Sequence, residues 1–189
     1  MNTLLSRFGR FGITIVALVI VQSLILAWMI AGRVMILRSP DVVTLQSEPV
    51  DPRDLFRGDY VTLNYGITNL SFIEMNGDMK WQDGDMIYVE LTPAQETWRA
   101  VAAFHAPVVP ALGNKLIRGR IDYHDETRNV SRVDYGIERY YVPQGEGRAL
   151  EDQRNERALS VDVALAGNGE AAIKGIRIDG QPVYEEPVF

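Results

Sequence analysis

The feature that most constrains this chain is a run of 22 residues without a charge, Phe11 to Gly32, broken only by the polar Thr14, Gln22 and Ser23. A helix rises about 1.5 Å per residue, so a run of this length matches the roughly 30 Å hydrocarbon thickness of a bilayer. No polar face recurs at helical spacing, as it would in a core helix of a soluble protein. The run exceeds a signal-peptide core of about 7–15 residues, and Met29-Ile30-Ala31 makes a poor cleavage site. The expectation is one retained transmembrane helix, with Trp28 near an interface. Residues 1–10 form a short tail, 11–37 the anchor and its flank, 38–50 a connector and 51–189 a soluble domain.

Orientation rests on charge. Arg7 and Arg10 on one side nearly balance Arg33 and Arg38 on the other. Residues 1–37 hold three Arg and no acid, whereas residues 38–189 hold 16 basic against 25 acidic residues, a net of −9. This places the tail in the cytoplasm and the domain outside it, which in a bacterium means an inner-membrane protein with a periplasmic domain. An acidic domain argues against nucleic acid as a partner, because phosphate binding needs clustered Lys and Arg. The chain has no cysteine and two histidines, His105 and His124. Thiolate metal sites and disulfides are excluded, and no metal or cofactor is expected.

Beyond the anchor the pattern is that of short strands. Val61, Leu63, Tyr65 and Ile67 recur at period two, with Tyr60, Thr62 and Asn64 between them. Further strands are expected at 42–45, 85–91, 97–105, 116–123, 129–135, 139–142, 159–165 and 171–178. In the segment 116–123, Ile117, Gly119, Ile121 and Tyr123 share one face. Gly167-Asn168-Gly169 reads as a hairpin turn. Asp51 to Gly58 reads as one helical turn, and 148–157 as one short helix. The fold class is mainly β: a small barrel or sandwich-like domain with one short helix, plus the N-terminal transmembrane helix.

Gly58-Asp59-Tyr60-Val61-Thr62-Leu63-Asn64-Tyr65 resembles the signature of the bacterial GDYxxLxY family. The lead-in from Pro49 to Arg57, a second block from Ile137 to Gly147 and a third from Ile176 to Tyr184 are similar to that family as well. The resemblance implies a membrane-anchored protein of unknown activity, with no catalytic residues to carry over. It also implies a multi-span membrane protein as partner, since members are often encoded beside such proteins.

The segment Asp51 to Val61 also resembles the substrate-cleft segment of membrane-anchored type I signal peptidases. Those enzymes place a nucleophilic Ser three residues before a Pro, and here that position is Pro49. Ser39 and Ser47 have the wrong offset, and Lys80, Lys115 and Lys174 lie in no matching context, so a Ser/Lys dyad is lacking. His124-Asp125-Glu126 reads as a solvated loop, because neighbours on a strand point to opposite faces. His105 reads as a strand-end residue with one hydrogen bond.

Two groups remain as candidate binding residues. Arg57, Asp59, Tyr60 and Tyr65 lie in the first block; Glu138, Tyr140, Tyr141, Glu146 and Arg148 lie in or beside the second. Tyrosine offers large contact area at low entropic cost, which suits a recognition surface. If the blocks meet in the fold they make one site. The function expected is a non-enzymatic envelope accessory or interaction protein docking on a multi-span partner. The alternative is an envelope hydrolase that works with carboxylates such as Asp59, Glu138 or Glu146.

Overall fold

A computed structural model describes residues 2–48, 60–73, 75–141 and 159–185. The helical turn expected at 51–58 and the short helix at 148–157 lie outside the described residues. The chain divides into two units, Met1–Met35 and Ile36–Phe189.

The first unit is helical. Helix α1 runs Asn2–Leu37, and its segment Gly12–Leu37, 26 residues, is long and apolar enough to cross a membrane. Apolar side chains all around it leave no stripe that a soluble core would need.

The second unit is built from antiparallel strands. In chain order these are β1 (Val42–Glu48), β2 (Tyr60–Thr62), β3 (Asn64–Tyr65), β4 (Asn69–Ser71), β5 (Asn76–Gly77), β6 (Met86–Ala94) and β7 (Thr97–Phe104). They continue with β8 (Lys115–Asp125), β9 (Val130–Asp134), β10 (Arg139–Tyr141), β11 (Leu159–Leu165), β12 (Ala171–Ile178) and β13 (Gln181–Glu185). One sheet has the order β13-β12-β11-β1-β3, a second β4-β9-β8-β6-β7-β5, and β10 with β2 makes a two-stranded ribbon. All pairings are antiparallel except the short β5–β7 contact. The fold is mainly β, as the alternating sequence pattern indicates.

Both sheets contribute to one core. Val43 and Leu45 of β1 and Leu159, Val161 and Val163 of β11 join Ile87, Val89 and Leu91 of β6 and Ile117 and Ile121 of β8. These residues are evenly spaced along their strands, so within each strand they share a face that points into the core. The stretch expected to be a connector is mostly strand: β1 occupies 42–48 inside its sheet, between β11 and β3. Only 38–41 separates it from the helix, and these residues are tied into the domain. Ser39 Oγ donates to the Leu165 carbonyl at 2.5 Å, and Asp41 pairs with Lys115.

The hairpin at 167–169 forms where expected. Gly169 has φ +84°, which glycine adopts without strain, and its carbonyl accepts the Arg118 amide of β8 at 2.7 Å. The hairpin of one sheet is thus fastened to the other. A register shift between Ile121 and Tyr123 corrects the expected face of β8. Ile121 is buried, but the bulge turns Tyr123 outward and leaves it 57 % exposed.

Candidate functional site

The two tyrosine-bearing blocks meet. β2 and β10 pair antiparallel with Thr62 opposite Arg139, Val61 opposite Tyr140 and Tyr60 opposite Tyr141. The pairing continues inward, where the Leu63 amide donates to the Glu138 carbonyl at 2.8 Å. Arg57, Asp59, Glu146 and Arg148 lie outside the described residues.

Just beyond this ribbon, two buried tyrosines stitch the blocks together reciprocally. Tyr65, on β3, sends its hydroxyl to the Ile137 carbonyl at 2.8 Å. Tyr135, at the end of β9, sends its hydroxyl to the Ile67 carbonyl at 2.8 Å. Each phenol satisfies a backbone acceptor that would otherwise be buried without a donor. Burial, and then the nearby Glu138 charge, push both phenols well above their ordinary range, so they act as fixed donors. Tyr65 is fully buried. Its place is the core, with Leu63 and Ile67, and not an exposed docking face.

Tyr135 owes its position to a glycine. A Cβ on Gly119, in the adjacent strand β8, would lie 2.5 Å from Val133 Cγ1 and 2.9 Å from Tyr135 Cδ1. The bare backbone there leaves room for the ring.

Glu138 and Asp134 flank the turn between β9 and β10. Glu138 accepts the Tyr135 amide at 2.6 Å, and Asp134 accepts the Gly136 amide at 2.8 Å. The two carboxyl groups also bond each other, which needs a proton between them. Burial first, and then that bond, raise Glu138 to about 7. The same bond, the Gly136 amide, and the charges of Arg139 and Arg120 lower Asp134. One group is therefore held as the acid and its neighbour as the base. Near neutral pH, Glu138 is poised to lose that proton.

A second cluster includes both histidines. His105 stacks on Trp81 with ring centroids 3.9 Å apart, Trp81 stacks on Phe72 at 5.3 Å, and Phe72 meets His124 at 6.2 Å. Asp78 accepts the His105 amide and contacts its Nδ1, both at 2.8 Å, and these bonds hold Asp78 below its usual range. His105 stands one residue past β7, as expected, but with more partners than one. His124 belongs to β8 rather than to a loop: its amide donates to Asp83 at 2.7 Å and its Nδ1 lies 2.8 Å from Ser131 Oγ. Asp125 caps the turn that follows by accepting the Thr127 and Arg128 amides. Among the described residues no group of three or more His, Asp or Glu side chains gathers as a metal site.

Sequence reasoning did not single out Tyr135, Asp134, Trp81 or Phe72. For Trp81 a signal existed: a lone indole in the polar run Lys80 to Gly84 has no reason to be there unless it is buried. For Tyr135, the spacing Asp134-Tyr135-Gly136 before the second block marked a turn, but nothing linear showed where the hydroxyl would end.

The profile of the family described as GDYXXLXY protein matches residues 22–176, and the chain belongs to that family. No curated protein and no solved structure matches it.

Proposed function

We propose that this GDYXXLXY family member is a membrane-anchored accessory subunit of a bacterial envelope, whose β domain docks on a multi-span membrane protein. The observation that carries this reading is the register of β2 against β10, which joins the two tyrosine-bearing blocks into one ribbon. Tyr60 and Tyr141 stand directly opposite in that register. The chemistry behind the ribbon is already engaged. Tyr65 and Tyr135 hold backbone carbonyls, and Asp134 and Glu138 hold turn amides. That arrangement supports a rigid recognition edge carried on a helix able to span a membrane. The inner membrane and periplasm are the location that the charge pattern favours.

The test is co-purification after mild detergent extraction. Tyr60→Ala and Tyr141→Ala are expected to lose a stoichiometric membrane partner while keeping the parent thermal melt. A hot-spot truncation of about 2 kcal/mol lowers affinity roughly thirtyfold. Variants that melt early in step with lost binding would sink the docking reading.

A second reading, a hydrolase working with carboxylates, would place its chemistry on the neighbouring Asp134 and Glu138. A split carboxyl pair is the arrangement used for general acid–base hydrolysis. Glu138→Gln separates the readings: a docking subunit keeps its function in the cell, whereas a hydrolase loses it with the domain still folded.

A further inference from the structure

The loop between β7 and β8 carries no charge from Ala106 to Asn114. Near its tip Val109 is 96 % exposed and Leu112 is 105 % exposed, the two most exposed large apolar side chains among the described residues of the β domain. A single exposed aliphatic residue needs no explanation, but two on one uncharged loop are a patch. The loop is also built to hold them out. Glu90, buried in β6, accepts the Ala111 amide at 2.8 Å and the Asn114 side-chain amide at 2.7 Å. The Asn114 amide donates to the Ala111 carbonyl at 2.9 Å, and Gly113 takes the turn with φ +88°. Pro107 and Pro110 restrict the backbone further. A buried carboxylate is costly unless bonded, and here its oxygen fixes the loop tip.

Two further observations name what the tip meets. Lys115, the residue on which the loop ends, pairs with Asp41, which lies four residues past Leu37, the end of the helix. Four residues reach at most about 14 Å, so the loop springs from the part of the domain tethered next to the helix end. The domain as a whole is acidic, net −9 from residue 38 onward, and an anionic lipid surface repels such charge. An uncharged loop can approach.

Resting on the reading of α1 as a membrane anchor, we propose that residues 106–114 are a second membrane contact, with Val109 and Leu112 inserted in the interfacial region of the bilayer that the helix crosses. The occupant is lipid, at the boundary between headgroups and acyl chains.

The chain has no cysteine, so Val109→Cys, Leu112→Cys and, as a control on β13, Val183→Cys each take one nitroxide label. Val183 is 56 % exposed. The full chain is reconstituted in vesicles of phosphatidylcholine and phosphatidylglycerol, and each variant is matched to the parent by thermal melt. Oxygen concentrates in a bilayer and a nickel chelate stays in water. The ratio of oxygen to chelate accessibility at 109 and 112 is expected to exceed that at 183 severalfold. Equal ratios on a chain that floats with the vesicles would overturn the loop contact while leaving the anchor intact. A chain that fails to float removes the anchored reading and the loop contact together. Labels that leave water only in native membranes, and not in pure lipid, overturn lipid as the occupant and make it a protein.

Discussion

The hydroxyl of Tyr135 and the carboxyl of Glu138 are three residues apart in sequence and serve opposite ends of the same junction. The carboxyl is the pH-sensitive end. Glu138 is raised from its ordinary 4.5 to about 7 by burial and by Asp134. A raised acid contributes stability fully present below pH 4.5 and lost as pH climbs through about 7. The lowered Asp134 acts in the other sense, but below its ordinary 3.8, outside that window. Allowing for solvent screening of a half-buried group, the domain should lose about 1–2 kcal/mol between pH 5 and 8. Glu138→Gln keeps an acceptor for the Tyr135 amide and supplies a permanent donor to Asp134. Urea melts across that range should show a flatter slope for the variant and a more stable domain at pH 8. The packing end is Gly119. An added methyl there meets Val133 and Tyr135 below normal contact distance, so Gly119→Ala should cost about 1–3 kcal/mol in the same melts. Legibility at this scale was uneven. Alternation alone assigned Leu63, Tyr65 and Ile67 to one face, and all three are buried. The same alternation could not show that Tyr65 bonds Ile137, because a hydroxyl partner 72 residues away in sequence leaves no local trace.

Strands were legible where they were long. Period two survives in the burial of β8 and of β6 up to its bulge, whereas β11 is buried along nearly its whole length. β4 and β5, of three and two residues, are too short to show a period and were missed. So was β13, where Pro182 lowers strand propensity at a sheet edge that can tolerate it. The β2–β10 ribbon was legible as two motifs but not as a pair, since sequence carries no register. That register can be checked directly. The Leu63–Glu138 bond makes Thr62 and Arg139 a non-hydrogen-bonded pair, whose Cα atoms stand about 4.5 Å apart. That distance suits a disulfide. The double variant Thr62→Cys, Arg139→Cys should close on mild oxidation and migrate faster on a non-reducing gel. Thr62→Cys with Tyr140→Cys, one residue out of register, should close poorly. The reverse order would show the ribbon to be slipped.

At the scale of the whole chain, the division at Ile36 predicts that the fragment 36–189 partitions to the soluble fraction with a cooperative melt, while the full chain stays with membranes. A fragment that remains in the membrane fraction would mean a second attachment strong enough to act alone. The proposed side of the membrane has its own check: a reporter active only outside the cytoplasm, fused after Phe189, should be active. The short passage from helix to sheet bears on how such a domain would find its partner. Residues 38–41 hold no slack, because Ser39 and Asp41 are bonded into the domain. On the proposed reading of α1 as an anchor, a domain on so short a leash would not sample the volume of its compartment and would diffuse in two dimensions with the membrane. A membrane-resident partner is then met at a high effective concentration, worth about 10²–10⁴ in apparent affinity without any added contact. On the docking proposal the contact itself can therefore be weak, and cutting the tether should abolish the complex while leaving every proposed interface residue in place.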